Sequence, residues 1–215
     1  MTLGGRLLLL RHAHTAGNAG RHRMGREDLP LDSIGQQQVE ALTSAMQTAI
    51  PAQAALTIHS SPLLRAIQTI APFATARDVP FHVDQALVEM DFGLEIGTKP
   101  RRKLRLKKHH LYHPVPGGES LFQVWQRAVE FFARVRPELD SGATVVAVAH
   151  YRVSQFLAGV AAGRDFETDV RTNRFKPANA SLFEMRFSAH DRQVTGPLLL
   201  WSPPTASRPE SEGLG

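Results

Sequence analysis

Cysteine is absent from all 215 residues, which excludes a disulfide scaffold, a thiol nucleophile and any cysteine-ligated zinc or iron–sulfur centre. Long hydrophobic runs are missing too. No stretch reaches the roughly 18 apolar residues that a bilayer span needs, and Leu7-Leu8-Leu9-Leu10 is too short for a secretion signal, with Arg11-His12 directly after it. At 42% apolar and 21% charged residues the chain is no disordered polyelectrolyte, and at roughly 150 residues per domain it holds one core. The expectation is a soluble, cytoplasmic protein with a single domain over residues 1–202. Residues 203–215, rich in Pro, Ser, Gly and Glu, are expected to form a disordered tail.

Acidic residues are missing from one place in particular. Residues 99–108 contain Lys99, Arg101, Arg102, Lys103, Arg105, Lys107 and Lys108 and no Asp or Glu. Removing those seven charges from the formal +5 leaves −2, so the basicity is one local feature rather than a property of the whole surface. The wider segment 99–116 has no apolar period and reads as a basic loop or lid.

Elsewhere the periodicity alternates between strand and helix. Residues 6–10 and 143–149 are apolar runs suited to core strands, with further strands at 54–58, 81–83 and 181–187. Val39, Leu42, Met46 and Ala49 recur at helical spacing behind Asp32 or Ser33 as a cap. Ser61-Pro62 places a capping hydroxyl before a proline at the first helical position, with that helix running to about residue 76. Ser120 and Gln123 make a capping box ahead of an amphipathic helix with Val124, Ala128, Phe132 and Val135, and another helix runs to about residue 162. Such alternation predicts an α/β layered sandwich, a central, mostly parallel sheet flanked by helices. Ligands gather at the carboxyl ends of strands in such sheets, and two of the predicted strands run into histidine, at His12 and His150.

The residues around these ends carry a family resemblance. Arg11-His12-Ala13-His14-Thr15 followed by Asn18 resembles the opening motif of the histidine phosphatase superfamily, the phosphoglycerate-mutase-like proteins. Ser60-Ser61-Pro62-Leu63-Leu64-Arg65-Ala66, with Gln68-Thr69, is similar to its second motif. Glu89-Met90-Asp91-Phe92-Gly93 is similar to its acidic motif, Pro116-Gly117-Gly118-Glu119-Ser120 to its Gly-Glu-Ser turn, Ala149-His150 to its last histidine, and Asn179-Ala180-Ser181 to the approach to its last strand. The motifs occur in the family's order and cover most of the chain.

The resemblance implies a phosphomonoesterase. His12 would be the nucleophile that forms phosphohistidine, and Glu89 the acid that protonates the leaving group and then takes a proton from water. Arg11, Arg65, His150 and Asn18 would hold the phosphoryl group. The chemistry of these side chains agrees with that assignment. Guanidinium groups donate in two-pronged fashion to phosphate oxygens, and a neutral imidazole, with its ordinary pKa of about 6.5, is a competent nucleophile.

Some positions depart from the pattern. Ala13 replaces a glycine, His14 stands where Glu or Gln is frequent, and Glu95-Ile96 replaces Trp-Glu. Tyr151-Arg152 follows His150 where small residues are usual, so these side chains either narrow the pocket or add an anion contact. Three other readings compete. A phosphoglycerate-type mutase would carry a Glu-Arg-x-His-Tyr-Gly stretch, whereas here Leu94-Glu95-Ile96-Gly97 follows the acidic motif. A metal-dependent hydrolase could use His12 and His14, but the (β/α)₈ barrels that do so need about 250 residues. The cluster His109-His110-x-x-His113 lies beside a cationic run that repels a divalent ion. A nucleic-acid- or anion-binding module could use residues 99–108, yet only Tyr112 and nearby histidines are there to stack on bases. The expected partner is a phosphorylated small molecule, with no metal, no cofactor and no membrane.

Overall fold

A computed structural model describes residues 4–20, 22–98, 108–172, 174–188 and 193–204. Residues 99–107 of the expected basic lid and 205–215 of the expected tail lie outside the described residues. The chain runs β1 (Arg6–Arg11), α1 (Ala16–Ala19), α2 (Ser33–Ala49), β2 (Leu56–Ser60), α3 (Leu64–Arg77), β3 (Phe81–Val83), α4 (Leu121–Asp140), β4 (Thr144–Ala149), α5 (Tyr151–Ala161), α6 (Phe166–Thr172), β5 (Leu182–Phe187) and β6 (Val194–Trp201). Six strands form one sheet in the order β3-β2-β4-β1-β5-β6. The β3, β2, β4 and β1 neighbours are parallel, and β5 pairs antiparallel with both β1 and β6. This is the expected layered α/β sandwich.

Strand alternation explains why four leucines in a row are useful. Leu7 and Leu9 face one layer, with Val145, Ala147 and Ala149 of β4, and pack against α4 and α5 through Val124, Phe131, Val153 and Leu157. Leu8 and Leu10 face the other, with Val146 and Val148, against Leu42 and Met46 of α2 and Ile70 and Phe73 of α3. Both faces of β1 and β4 are therefore dry, the usual state of parallel strands. Of the buried carboxylates, Glu184 on β5 is held by Arg6 and Arg186, and Asp169 by Arg164.

Two boundaries differ from expectation, for physical reasons. The second strand lies at Leu56–Ser60 rather than 54–58. Helix α3 starts at Leu64, so Ser61 is not its cap. Its first amide, Leu64 N–H, instead donates to Asp28 Oδ1 at 2.6 Å. The Ser61 hydroxyl accepts from Leu63 N at 3.3 Å and lies 2.7 Å from His150 Nε2. The periodicity missed α6, and it missed β6 because Gly196 and Pro197 interrupt the run. Both fall at the register shift between Glu184 and Arg186, on an edge strand where proline is tolerated.

The stretches around residues 91–93 and 118–120 are drawn together by backbone contact. A Cβ added to Gly118 would lie 2.4 Å from Asp91 O and 2.7 Å from Gly93 N. Glu119 accepts the Asp91 N–H at 2.9 Å and two Arg127 N–H bonds at 3.0 and 3.1 Å, and Arg26 meets it at 3.1 Å. Overpacking of this kind costs about 1–3 kcal/mol. Gly118→Ala should therefore lower the urea midpoint by that equivalent, with the displacement felt first at Glu89, two residues before Asp91.

Candidate active site

Parallel pairing of β1 with β4 sets Arg11 against Ala149, so the residues that follow, His12 and His150, emerge side by side. After β1 the chain departs to α2 on one face, and after β4 to α5 on the other. The crevice between such neighbouring strands is the switch point at which open α/β sheets bind ligands. Both histidines are buried, and their rings sit 5.0 Å apart, tilted by 48°.

Each ring has an assigned proton. His12 Nδ1 lies 2.7 Å from the Ala13 carbonyl, which can only accept, so Nδ1 carries the hydrogen and the lone pair is on Nε2. That Nε2 has no partner among the described residues. His150 Nδ1 accepts from Arg65 Nε at 3.3 Å, which places its hydrogen on Nε2, donated to Ser61 Oγ at 2.7 Å. The His12 carbonyl is held by Asn179 Nδ2 and Ala180 N, both at 3.1 Å. The Ala13 N–H donates to Thr69 Oγ1 at 2.9 Å, and that hydroxyl donates to Arg65 O at 2.6 Å.

Burial drives the pKa of His12 well below its ordinary value, and Arg11 and Arg65 push it further the same way. His150 is depressed by burial and then by His12, Arg65 and Arg11. Both are neutral at neutral pH. Arg11 donates to Pro177 O at 2.9 Å, and its buried Nε has no hydrogen-bond partner among the described residues. Arg65 donates to Gly25 O at 2.8 Å and also to Glu27 O. It thereby ties the loop before α2 to the site.

Glu89 is 8% exposed. Its carboxylate accepts from Met90 N at 2.9 Å and from the Arg152 backbone N–H at 3.2 and 3.3 Å. Burial lowers the pKa of Arg11, Arg65 and Arg152, and in each the Glu89 charge is the largest opposing influence. The carboxylate thus sits among three guanidinium groups. Asn18 uses its Oδ1 to accept from Thr15 N, Thr15 Oγ1 and Asn179 Nδ2, which leaves its Nδ2 to donate.

The structure thus brings His12, His150, Arg11, Arg65 and Glu89 together, with Asn18 next to them through Asn179. His14 stands apart, its Nδ1 paired with Asp32 Oδ2 at 2.7 Å, and among the described residues no three His, Asp or Glu side chains converge as metal ligands. No helix among the described residues is long and apolar enough to cross a membrane. Three residues escaped the sequence reading of the site: Ser61, read as a cap, Asn179, read as part of the approach to a strand, and Thr69. Their roles depend on contacts far apart in the chain, which no local period signals.

Two buried neutral histidines give folding a definite pH dependence. The unfolded chain takes up these protons below about pH 6.5 and the folded chain does not. Stability is therefore full above that value and falls as pH drops below it, by up to about 1.4 kcal/mol per pH unit for each histidine. Urea midpoints should fall between pH 7.5 and 5.5. The His12→Asn/His150→Asn variant should flatten the slope, with His59, also depressed by burial, accounting for the remainder.

Comparison with known proteins gives the family. A profile of the histidine phosphatase superfamily, branch 1, matches residues 7–197. A bifunctional protein of Mycobacterium tuberculosis is 35% identical over 154 residues, 67% of this chain and 41% of the relative. The chain thus spans about two fifths of that relative's length. A glucosyl-3-phosphoglycerate phosphatase of Mycolicibacterium vanbaalenii is 31% identical over 159 residues, 67% of this chain and 68% of the relative. The solved structure of a mycobacterial glucosyl-3-phosphoglycerate phosphatase complexed with VO3 superposes at a TM-score of 0.73. That match covers 88% of this chain and 96% of the other at 24% identity, a likeness of fold.

Proposed function

The chain belongs to the histidine phosphatase superfamily, branch 1, and from that premise we propose that it is a phosphomonoesterase working through a phosphohistidine on His12. One observation carries the reading. His12 is buried, neutral and fixed through Nδ1, so that its free Nε2 lone pair stands among Arg11, Arg65 and His150.

In the first step His12 Nε2 attacks phosphorus in line. The N–P bond forms, the P–O bond to the alcohol breaks, and Glu89 in its acid form gives the departing oxygen a proton. In the second, water attacks the phosphorus, Glu89 takes the water's proton, and the P–N bond breaks to release phosphate. Arg11, Arg65 and the Asn18 amide serve the phosphoryl oxygens, with charge-assisted bonds worth roughly 1.5–3 kcal/mol each. His150 adds its Nε2–H by exchanging Ser61 Oγ for a phosphoryl oxygen. Because positioning and charge do most of the work in phosphoryl transfer, the fixed orientation of His12 matters as much as its nucleophilicity. Phosphatase is favoured over mutase because Leu94-Glu95-Ile96-Gly97 stands in place of the longer mutase stretch.

Acid-labile label from a phosphorylated substrate should map to His12, and His12→Ala should lose at least about 10³-fold in kcat. Full turnover in that variant would exclude the mechanism, and transfer of the label to a second alcohol rather than to water would assign a mutase. Glu89→Gln should slow alkyl phosphates by about 10²–10⁴-fold and aryl phosphates with good leaving groups far less. Equal losses on both classes would reassign Glu89 to shaping the site.

A further inference from the structure

Among the described residues, Arg152 is a buried cation beside Glu89 with no task in the reaction just described. It is the second residue of α5, directly after His150 and Tyr151, at a position where the resemblance leads one to expect a small residue. Its backbone N–H holds both oxygens of Glu89, so the residue stands on the side of the crevice where the departing alcohol would lie. The guanidinium rests 5.8 Å from the Tyr151 ring centroid, and that ring also carries Arg11 at 5.2 Å.

The partners of this guanidinium are few. Nη1 donates to Gln155 Oε1 at 2.9 Å, a neutral acceptor that is itself anchored by a 2.6 Å bond from Gln155 Nε2 to Phe175 O. Among the described residues neither Nε, which is buried, nor Nη2 has a hydrogen-bond partner. A desolvated cation without hydrogen-bonded compensation is costly. Glu89 is near enough to be felt, but its oxygens are taken by the backbone N–H groups of Met90 and Arg152 rather than by the guanidinium. What remains is a planar two-donor edge, Nε and Nη2, beside Gln155 and Tyr151 and without a hydrogen-bond acceptor among the described residues.

On the reading that His12 and Glu89 act on a phosphomonoester, we propose that Arg152 is a specificity-determining residue whose Nε–Nη2 edge binds a carboxylate on the alcohol part of the substrate. The preferred esters then carry a carboxylate a few bonds from the ester oxygen. A carboxylate fits better than a second phosphate. Its two coplanar oxygens match one guanidinium edge and its single charge needs one cation, whereas Arg11 and Arg65 already serve the dianionic phosphoryl group.

The test compares 3-phosphoglycerate with glycerol 3-phosphate, which differ in carboxylate against hydroxymethyl. Calorimetric titration of the His12→Ala protein, which does not turn over, should give at least a tenfold tighter Kd for 3-phosphoglycerate. Arg152→Met in that background should erase the difference, and Arg152→Lys, which keeps the charge but not the planar edge, should retain part of it and serves where the methionine variant fails to fold. In the otherwise unaltered enzyme Arg152→Met should lower kcat/KM for 3-phosphoglycerate about 10–10²-fold more than for glycerol 3-phosphate, whatever loss the two share from the charge removed beside Glu89. Equal affinity for the two ligands, or equal losses on both, would overturn the proposal and make Arg152 a support for Glu89. A larger loss on fructose 1,6-bisphosphate than on 3-phosphoglycerate would likewise overturn it in favour of a second phosphate. Turnover of p-nitrophenyl phosphate separates the two readings. Turnover without carboxylate discrimination removes this proposal and leaves the phosphatase, while discrimination without turnover supports it and removes the phosphatase.

Discussion

The parallel ladder between β1 and β4 is the constraint on which the rest depends. Its register pairs Arg11 with Ala149, so one residue later both strands deliver an imidazole to the same end of the sheet. A slip of one residue along either strand would turn every side chain of that strand to the opposite face, reversing Leu7 and Leu9 with Leu8 and Leu10. The dry packing on both faces therefore fixes the register. The same packing that stabilises the core sets the 5.0 Å separation of the two rings.

Around this pair the fold gathers more cation than anion. Arg11, Arg65 and Arg152 surround one carboxylate, and each is desolvated. The arrangement is held mainly by backbone carbonyls, at Pro177, Gly25 and Glu27, which satisfy hydrogen bonds without cancelling charge. A site built this way retains a positive field for an arriving dianion, and it keeps both histidines unprotonated at the pH where His12 must be a nucleophile.

Much of this was legible in the chain. The apolar runs, the capping box at Ser120 and the motif order located the strands, α4 and the residues His12, Arg65, Glu89 and His150, because each rests on local period or on neighbours in sequence. What stayed hidden rests on distance. Asp28 caps a helix 36 residues away, and Ser61 meets His150 across 89 residues of chain. Asn179 supports the His12 carbonyl from a loop 167 residues further on. Strand β6 hides behind a glycine and a proline that would argue against a strand anywhere but at an edge. The orientation of Arg152 likewise follows from Gln155 and Tyr151 together, which spacing alone does not convey.

That edge has its own consequence for the behaviour of the protein at high concentration. Strand β6 ends the sheet with Leu198 and Leu199 largely in water, a combination that invites a neighbouring copy to add a strand. Pro197 lies in the middle of it and offers no N–H, and the register shift beside it bends the line of carbonyls. An incoming strand finds a broken template rather than a continuous one. At the opposite end β3 is three residues long, too short to seed a ladder. Both margins of the sheet thus discourage self-templating growth, and the proline that obscures β6 in the sequence acts as its gatekeeper against fibrils.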